Sequence, residues 1–367
     1  MGRTILITGA SGYLGSAISV DLARDHTVIG ICRREPSPEQ LRAAPAAIWE
    51  KSEIIDVDCI EGVLKRQAVG GRRVDYILHF AAFTDYGDKW QDEYCDTNVI
   101  GTRNVIEAAD RCGGIDRIVF AGSIAALTPP RPGEMLTEKS PAGGSVAYCR
   151  SKAMGEALMA ENAHRVPAIV LRIGGVFTDW CELPPLFSLM NAWSMPSLMG
   201  RMVPGRGRTG FPYIHRKDIV RIVRRIVEKN ENLDSFETLF AAHPGCTCHA
   251  ELFPAIRKAL GGGCSTRPIS IPKQAARLLL HGKYAANTLM RRETYERAWM
   301  IDYVDRPLVV DTAYTCRRLD WAPTPGLHVL DRIPVLMDHF KTRRSEWLQR
   351  NRRRNDQKYE FEPDPKD

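Results

Sequence analysis

Thr4-Ile5-Leu6-Ile7-Thr8-Gly9-Ala10-Ser11-Gly12-Tyr13-Leu14-Gly15 stands almost at the start of the chain and decides its fold. Thr4 to Thr8 is a short, largely apolar run of the kind that forms a buried strand. Three glycines follow at once, and a helical pattern then runs from Tyr13 to Arg24. A strand that feeds a glycine turn and opens a helix is the context in which such a pattern binds a dinucleotide. Gly9 permits the tight turn, Gly12 lets backbone approach a pyrophosphate, and Gly15 lets helix and strand pack closely. The helix N-terminus adds N–H donors and the positive end of its dipole. Ser11, Tyr13 and Leu14 complete the predicted cofactor loop.

Working outward, apolar strands alternate with helical stretches. Thr27 to Cys32 predicts a second strand, Glu53 to Val57 a third, Val74 to Phe80 a fourth, Asp116 to Ala121 a fifth and Ala168 to Ile173 a sixth. Helices are predicted over Asp92–Cys112, Val146–Ala163 and Lys217–Lys229. Strands buried on both faces and joined by helices make right-handed βαβ units. The fold class is therefore α/β, a doubly wound parallel sheet (Rossmann) with a smaller mixed C-terminal substrate domain. The dinucleotide domain spans 1–179 and is joined by 212–244. The substrate domain or lid takes 180–211 and 245–340.

The end of the second strand selects the dinucleotide. It reads Ile31-Cys32-Arg33-Arg34, with no acidic residue before the arginines. A carboxylate there would bind the ribose 2′-OH of NAD, whereas a guanidinium grips the 2′-phosphate of NADP. Arg33 and Arg34 thus favour NADP(H), with NAD(H) as the other reading. Asp56 and Val57 are predicted to meet the adenine, and Phe80, Ala81 and Ala82 to let the cofactor pass. Ile173, Gly174 and Val176 are assigned to the same cofactor.

Tyr148 and Lys152 lie one turn apart on a predicted helix and share a face. An ammonium beside the phenol favours phenolate and lowers its pKa toward neutrality. Such a tyrosine can exchange a proton with an oxygen undergoing hydride chemistry. Ser123, just past the fifth strand, can polarise a carbonyl. Asn98 is an interior polar residue on a helical pattern, which a side-chain hydrogen bond to backbone would also explain.

Together these segments resemble the extended short-chain dehydrogenase/reductase family, the NAD(P)-dependent epimerase/dehydratase superfamily. The matching elements are TGASGYLG at Thr8–Gly15, DV at Asp56, HFAA at His79–Ala82, Asn98 with Gly101-Thr102, AGS ending at Ser123, and YCRSK at Tyr148–Lys152. Leu171-Arg172 and Tyr213–Val220 also match, as does RRLDWAP at Arg317–Pro323, with Asp320 where glycine is usual. The resemblance implies that Tyr148 is the catalytic acid/base. It implies that Lys152 tunes Tyr148 and holds the nicotinamide ribose, that Ser123 binds the reacting oxygen, and that Asn98 supports the proton relay and the cofactor. It also implies a homodimer through the helices Asp92–Cys112 and Val146–Ala163.

Departures from the family pattern narrow the reaction. Ile124-Ala125-Ala126 stands where sugar-nucleotide dehydratases carry an acidic pair. Phe211-Pro212 stands where epimerases carry Arg-Asp before the Tyr-Ile-His segment. The stretch Trp180–Met202 is rich in Trp, Met, Leu and Phe, and reads as a pocket wall, as ordinary core of the second domain or as a dimer contact. Thr84, Ser123, Ile124, Tyr148, Trp180, Leu186, Trp193 and Phe211 are the predicted substrate contacts. The expected function is NADP(H)-dependent interconversion of a ketone and an alcohol on an apolar or aromatic small molecule. The rivals are a cofactor-retaining sugar-nucleotide epimerase and a non-catalytic NADP-binding protein.

Bulk properties fit an ordinary enzyme. The 367 residues are 44% hydrophobic and 26% charged, with a net charge of +7. Much of the excess lies in Arg343–Arg354. The tail 341–367 reads as a solvated, partly disordered end rather than a nucleic-acid contact. No apolar run reaches the length of a membrane span. Ten cysteines without framework spacing imply the reducing cytosol, hence a cytoplasmic protein with free thiols. His243-Pro244-Gly245-Cys246-Thr247-Cys248-His249 gathers potential ligands but lacks zinc spacing, and reads as a loop with Thr247 capping the next helix. No metal and no nucleic acid are expected.

Overall fold

The computed structural model describes residues 2–352 apart from 88, 132, 145, 262–264 and 290–295. The part of the tail expected to be most disordered, beyond Asn355, lies outside the described residues. Six strands build most of the main sheet: β1 (Thr4–Thr8), β2 (Thr27–Cys32), β3 (Ile48–Lys51), β4 (Tyr76–His79), β5 (Arg117–Ser123) and β6 (Ala168–Ile173). The strand Phe236–Ala241 adds a seventh at the β6 edge. All pair in parallel in the order Phe236–Ala241, β6, β5, β4, β1, β2, β3. The order reverses beside β1, which opens a crevice at the carboxyl ends of β1 and β4.

Alternation along each strand supplies two cores. Ile5, Ile7 and Leu78 point to the face covered by α1 (Gly15–Leu22) and, later in the chain, the helix Arg216–Glu228. Leu6, Ile29 and Ile77 point to the other face, against α3 (Val57–Val69), α4 (Gly101–Cys112) and α5 (Ala147–Asn162). The short α2 (Pro38–Ala43) lies beside the first turn. Its Gln40 donates to the Ser11 carbonyl at 3.0 Å and so braces the glycine loop.

A second lobe has its own core of Phe177, Leu186, Met190, Trp193, Phe253, Ile333, Met337 and Trp347. It is built from α6 (Pro184–Trp193), α8 (His249–Leu260), α11 (Val329–Thr342) and α12 (Arg344–Arg352), with α7 (Arg216–Glu228) returning to the sheet. Pro184 and Pro185 occupy the first turn of α6, where a missing N–H costs nothing. α9 (Lys273–Leu289) and α10 (Ala313–Leu319) complete the chain's helices among the described residues. Three short pairs stitch this lobe together: Gly175–Phe177 with Tyr213–His215, Gly210–Phe211 with Thr247–Cys248, and Met202–Pro204 with Ile269–Ile271.

Four expectations need correction here. The third strand is Ile48–Lys51, not Glu53–Val57. Asp56 instead caps α3, its carboxylate accepting from the Asp58 N–H at 2.9 Å. The helix over Asp92–Cys112 is broken into a π-helical stretch, Tyr94–Ile100, followed by α4. Thr247 does not cap α8. Cys248 does, its N–H donating to Glu251 at 2.8 Å, while Thr247 sits in a strand pair. The first part of the expected loose tail is a packed helix, Arg344–Arg352, in which Trp347 is fully buried and Arg350 and Asn351 nearly so.

Candidate active site

One cavity of about 1380 Å³ runs from the glycine loop to the second lobe. Ligand pockets usually measure roughly 300–1,000 Å³, so this one has room for a dinucleotide and a second molecule. Its first wall is Gly9, Ser11, Gly12, Tyr13, Leu14, Gly15, Arg33 and Arg34. Phe80, Ala81, Ala82 and Thr84 follow at the end of β4. Ser123, Tyr148, Lys152, Ile173, Gly174 and Val176 stand further in, and Trp193 and Phe211 lie in the second lobe. Each of these predicted residues is brought to the same space.

The loop geometry fits a diphosphate. Gly9 is left-handed at φ 69°, and a Cβ there would lie 2.7 Å from the Ala81 nitrogen. A Cβ on Gly15 would lie 2.2 Å from the Gly9 carbonyl oxygen. The glycines therefore let the loop sit against β4 and α1. The first turn of α1 holds no acidic residue, which leaves its N-terminal dipole available to an anion. Thr8, His79 and Thr102 anchor the floor. Thr8 Oγ1 is 2.7 Å from His79 Nδ1, and His79 Nε2 is 3.0 Å from Thr102 Oγ1. Thr8 Oγ1 also accepts from the Ala81 N–H. Burial, followed by the nearby Lys152 ammonium, lowers the His79 pKa to about 3, so the ring is neutral.

Five predicted contacts are displaced from the cavity wall, and Asn98 is displaced with them. Asp56 caps a helix and Val57 packs beneath the sheet. Glu53 and Ile54 line the cavity in their stead, because the true strand ends at Lys51. Ile124 is core, packed with Leu127, Leu136 and Phe240. Leu186 is buried in the second-lobe core. Trp180 is stacked on His339 with centroids 4.2 Å apart, away from the cavity. Asn98 lies behind the wall. Its amide donates to the Phe83 carbonyl and to Ser151 Oγ, both at 2.9 Å, and its oxygen accepts from the Phe83 N–H at 2.7 Å. Ser151 Oγ donates to the Tyr148 carbonyl at 2.8 Å, so Asn98 fixes the start of α5 against the β4 loop.

The Tyr148–Lys152 pair differs electrostatically from expectation. The Tyr148 phenol is buried and hydrogen-bonds Ser123, and its ring meets Tyr86 edge-on at 5.4 Å. Burial raises its pKa well above the usual phenol value, and the Ser123 hydrogen bond offsets only part of that. The predicted fall toward neutrality is therefore absent. Lys152 Nζ donates instead to the Ala121 carbonyl at 2.8 Å and lies over the Phe120 ring. Burial lowers the Lys152 pKa to about 7.

Several wall residues carried no sequence signal. Trp299 lines the cavity, and its indole donates to the Tyr86 carbonyl at 3.4 Å. Glu182 and Leu183 line it from a turn in which Cys181 and Glu182 are both left-handed, at φ 73° and 54°. Asn351 of α12 holds that turn, accepting from the Glu182 N–H at 2.8 Å and donating to the Trp180 carbonyl at 2.7 Å. Arg350 pairs with Glu182 at 3.1 Å. Among the described residues no group of three or more His, Cys, Asp or Glu could hold a metal ion, and no helix is long and apolar enough to cross a membrane.

A family model described as the NAD dependent epimerase/dehydratase family matches residues 5–241. Sterol demethylase protein B of Methylococcus capsulatus is 26% identical over 244 residues, 62% of this chain and 66% of that protein. A UDP-glucose 4-epimerase of Streptomyces lividans is 28% identical over 154 residues, 41% of this chain and 45% of the relative. A ketoreductase of Cercospora nicotianae is 28% identical over 138 residues, 35% and 38% of the two chains. The chain thus matches less than two thirds of the length of each. In three dimensions it resembles the dTDP-glucose 4,6-dehydratase of Bacillus anthracis, solved with NAD, at a TM-score of 0.68 and 18% identity over 94% of this chain and 98% of that one. It also resembles the UDP-glucose 4-epimerase of Thermotoga maritima at 0.67 and 18%, over 94% and 100%.

Proposed function

The chain belongs to the NAD dependent epimerase/dehydratase family, and within it we propose an NADP(H)-dependent reductase that interconverts a ketone and an alcohol on an apolar or aromatic small molecule. One observation carries the reading. Ser123, Tyr148 and Lys152 open into a cavity whose further wall is Leu183, Leu189, Trp193, Met195, Met199, Met202, Phe211, Trp299 and Met300. A wall rich in aromatic and thioether side chains suits a greasy substrate, although Lys283, Arg297, Arg306 and His249 line the same cavity and supply polar contacts there.

The glycine loop and the N-terminus of α1 would hold the diphosphate of the cofactor, and Arg33 and Arg34 its 2′-phosphate. NADPH, when bound, supplies the hydride. Ser123 donates a hydrogen bond to the substrate carbonyl oxygen and favours the negative charge that develops there. Tyr148 then donates its phenolic proton to that oxygen, giving the alcohol, and a proton from solvent restores the phenol. Burial, which keeps Tyr148 protonated, suits this donor role. Asn98 positions Tyr148 through Ser151. A dimer through α4 and α5 would cover the exposed Met154, and the molecular mass in solution tests it.

The test is an NADPH-oxidation screen over apolar and aromatic ketones, with Tyr148→Phe as control. The expected result is stoichiometric NADPH consumption that the variant loses while still binding NADPH. Turnover of a nucleotide sugar without net cofactor consumption would replace this reading with epimerisation. Undiminished turnover by Tyr148→Phe would remove the proposed proton donor.

A further inference from the structure

Exposed apolar side chains gather at the rim of the active-site cavity. On α9, Leu278, Leu279 and Leu289 are 73%, 47% and 87% exposed; in the turn Leu198–Arg201, Leu198 and Met199 are 65% and 59% exposed. Leu278, Leu279 and Met199 line the cavity, so both segments stand at its mouth. α9 is also inverted for a solvated helix. Ala276, Leu280 and Tyr284 face inward against Ile271 and Ile301. Leu278, Gly282, Ala285 and Leu289, spaced at four, three and four residues, form the opposite face, and all are exposed. A surface helix ordinarily presents polar residues there.

Charge completes the pattern. α9 contains no Asp or Glu; Lys273 and Arg277 lie on one flank of the apolar stripe and Lys283 on the other. Arg201 and Arg267 adjoin the second segment, Arg201 Nε donating to the Arg267 carbonyl at 3.2 Å. Against these cations stand Asp302, 3.6 Å from Lys273 and Arg277, and Glu296, 2.7 Å from Lys283. An apolar stripe with cationic flanks is the composition of a helix that lies in a membrane interface. A second copy of this chain would set the same cations against each other.

We propose that this rim docks on an anionic lipid bilayer, and that an apolar substrate passes from the membrane into the cavity without crossing water. The passage, but not the docking, rests on the reading of an apolar ketone substrate. The lipid supplies the apolar phase for Leu198 and Leu289 and the headgroup charge for the flanking cations.

The experiment is co-sedimentation of the full chain with vesicles of mixed phosphatidylcholine and phosphatidylglycerol, comparing wild type with the double variant Leu198→Asp, Leu289→Asp. Neither residue lines the cavity. Wild type is expected to sediment with the vesicles, and the variant to partition about a hundredfold less, roughly tenfold for each leucine withdrawn from apolar contact. Its thermal midpoint and its turnover of a water-soluble ketone are expected to stay unchanged. Absence of wild-type binding, or equal binding by both proteins, overturns the proposal. So does a loss of mass in lipid-free solution in the variant, which would mark the rim as a contact between copies. Vesicle binding without any ketone reduction would leave the docking surface standing and remove the proposed reaction.

Discussion

Replacing Asn351 by Leu tests how the C-terminal helix supports the active site. The Asn351 side chain is 6% exposed and makes two hydrogen bonds to the turn that carries Glu182, besides one to the Trp347 carbonyl in its own helix. Leucine is close in volume and cannot make them. The Glu182 N–H and the Trp180 carbonyl would keep their own bond to each other at 3.1 Å, so the loss is that of two side-chain hydrogen bonds, about 0.5–1.5 kcal/mol each. Cys181 and Glu182 also hold left-handed backbone, a conformation that costs on the order of 1–3 kcal/mol per residue and persists only where surroundings enforce it. Relaxing the turn recovers part of that loss, so a net destabilisation of about 1–2 kcal/mol is expected. The unfolding entropy of a chain this size makes that a fall of roughly 1–3 °C in thermal midpoint. Glu182 and Leu183 line the cavity, so KM should rise more than kcat falls. Asn351→Asp, which still accepts from Glu182 but cannot donate to Trp180, should fall between. Calorimetry and steady-state kinetics read both effects. An Asn351→Leu protein with unchanged midpoint and unchanged KM would show that α12 does not shape the site.

Three further outcomes follow from the cofactor side. Lys152→Met should abolish ketone reduction yet stabilise the fold near pH 6, because the folded lysine pKa lies at about 7 against an ordinary 10.5. The folded state then binds fewer protons than the unfolded between those values, so the burial penalty is full below pH 7 and is relieved as pH rises toward 10.5. The gain in thermal midpoint should therefore shrink across that window, and a gain independent of pH would contradict the assignment. Arg33→Ala with Arg34→Ala should raise the KM for NADPH about tenfold to a hundredfold and leave that for NADH unchanged. Tighter binding of NADH than NADPH by the wild type would reverse the preference read from these arginines. Gly15→Ala places a Cβ 2.2 Å from the Gly9 carbonyl oxygen, an overpacking of about 1–3 kcal/mol that must displace the loop. NADPH titration should show weaker binding than wild type, and equal binding would mean that the loop yields without consequence.

What the sequence disclosed tracks how completely a residue's surroundings are local. β1, β2 and β6 were legible to the residue, because strands covered on both faces are continuous apolar runs bounded by turns. β3 was misplaced because Ile48–Lys51 sits at the sheet edge, half exposed, and reads Ile-Trp-Glu-Lys. The more apolar Ile54-Ile55 nearby leads into a helix instead. That one shift carried Asp56 and Val57, the predicted adenine contacts, off the cavity wall and left Glu53 and Ile54 on it. The glycine loop, Ser123, Tyr148 and Lys152 were legible because motif spacing fixes them within one or two elements. The phenol's pKa was not, since it depends on how deeply Tyr148 is buried and on where the Lys152 ammonium turns.

The second lobe shows the limit most sharply. Trp180, Leu186 and Trp193 look alike in the sequence, and only Trp193 faces the cavity. The difference is set by partners more than a hundred residues away in sequence: His339, Arg343 and Arg350 enclose the Trp180 ring. Arg343 and Arg350 belong to the stretch whose basic composition suggested a loose tail. The same cations that read as solvated charge are positioned over an aromatic face, where a guanidinium is held by the ring's negative potential. A basic segment and an aromatic lid were therefore halves of one structure, and neither half could reveal its role without the other.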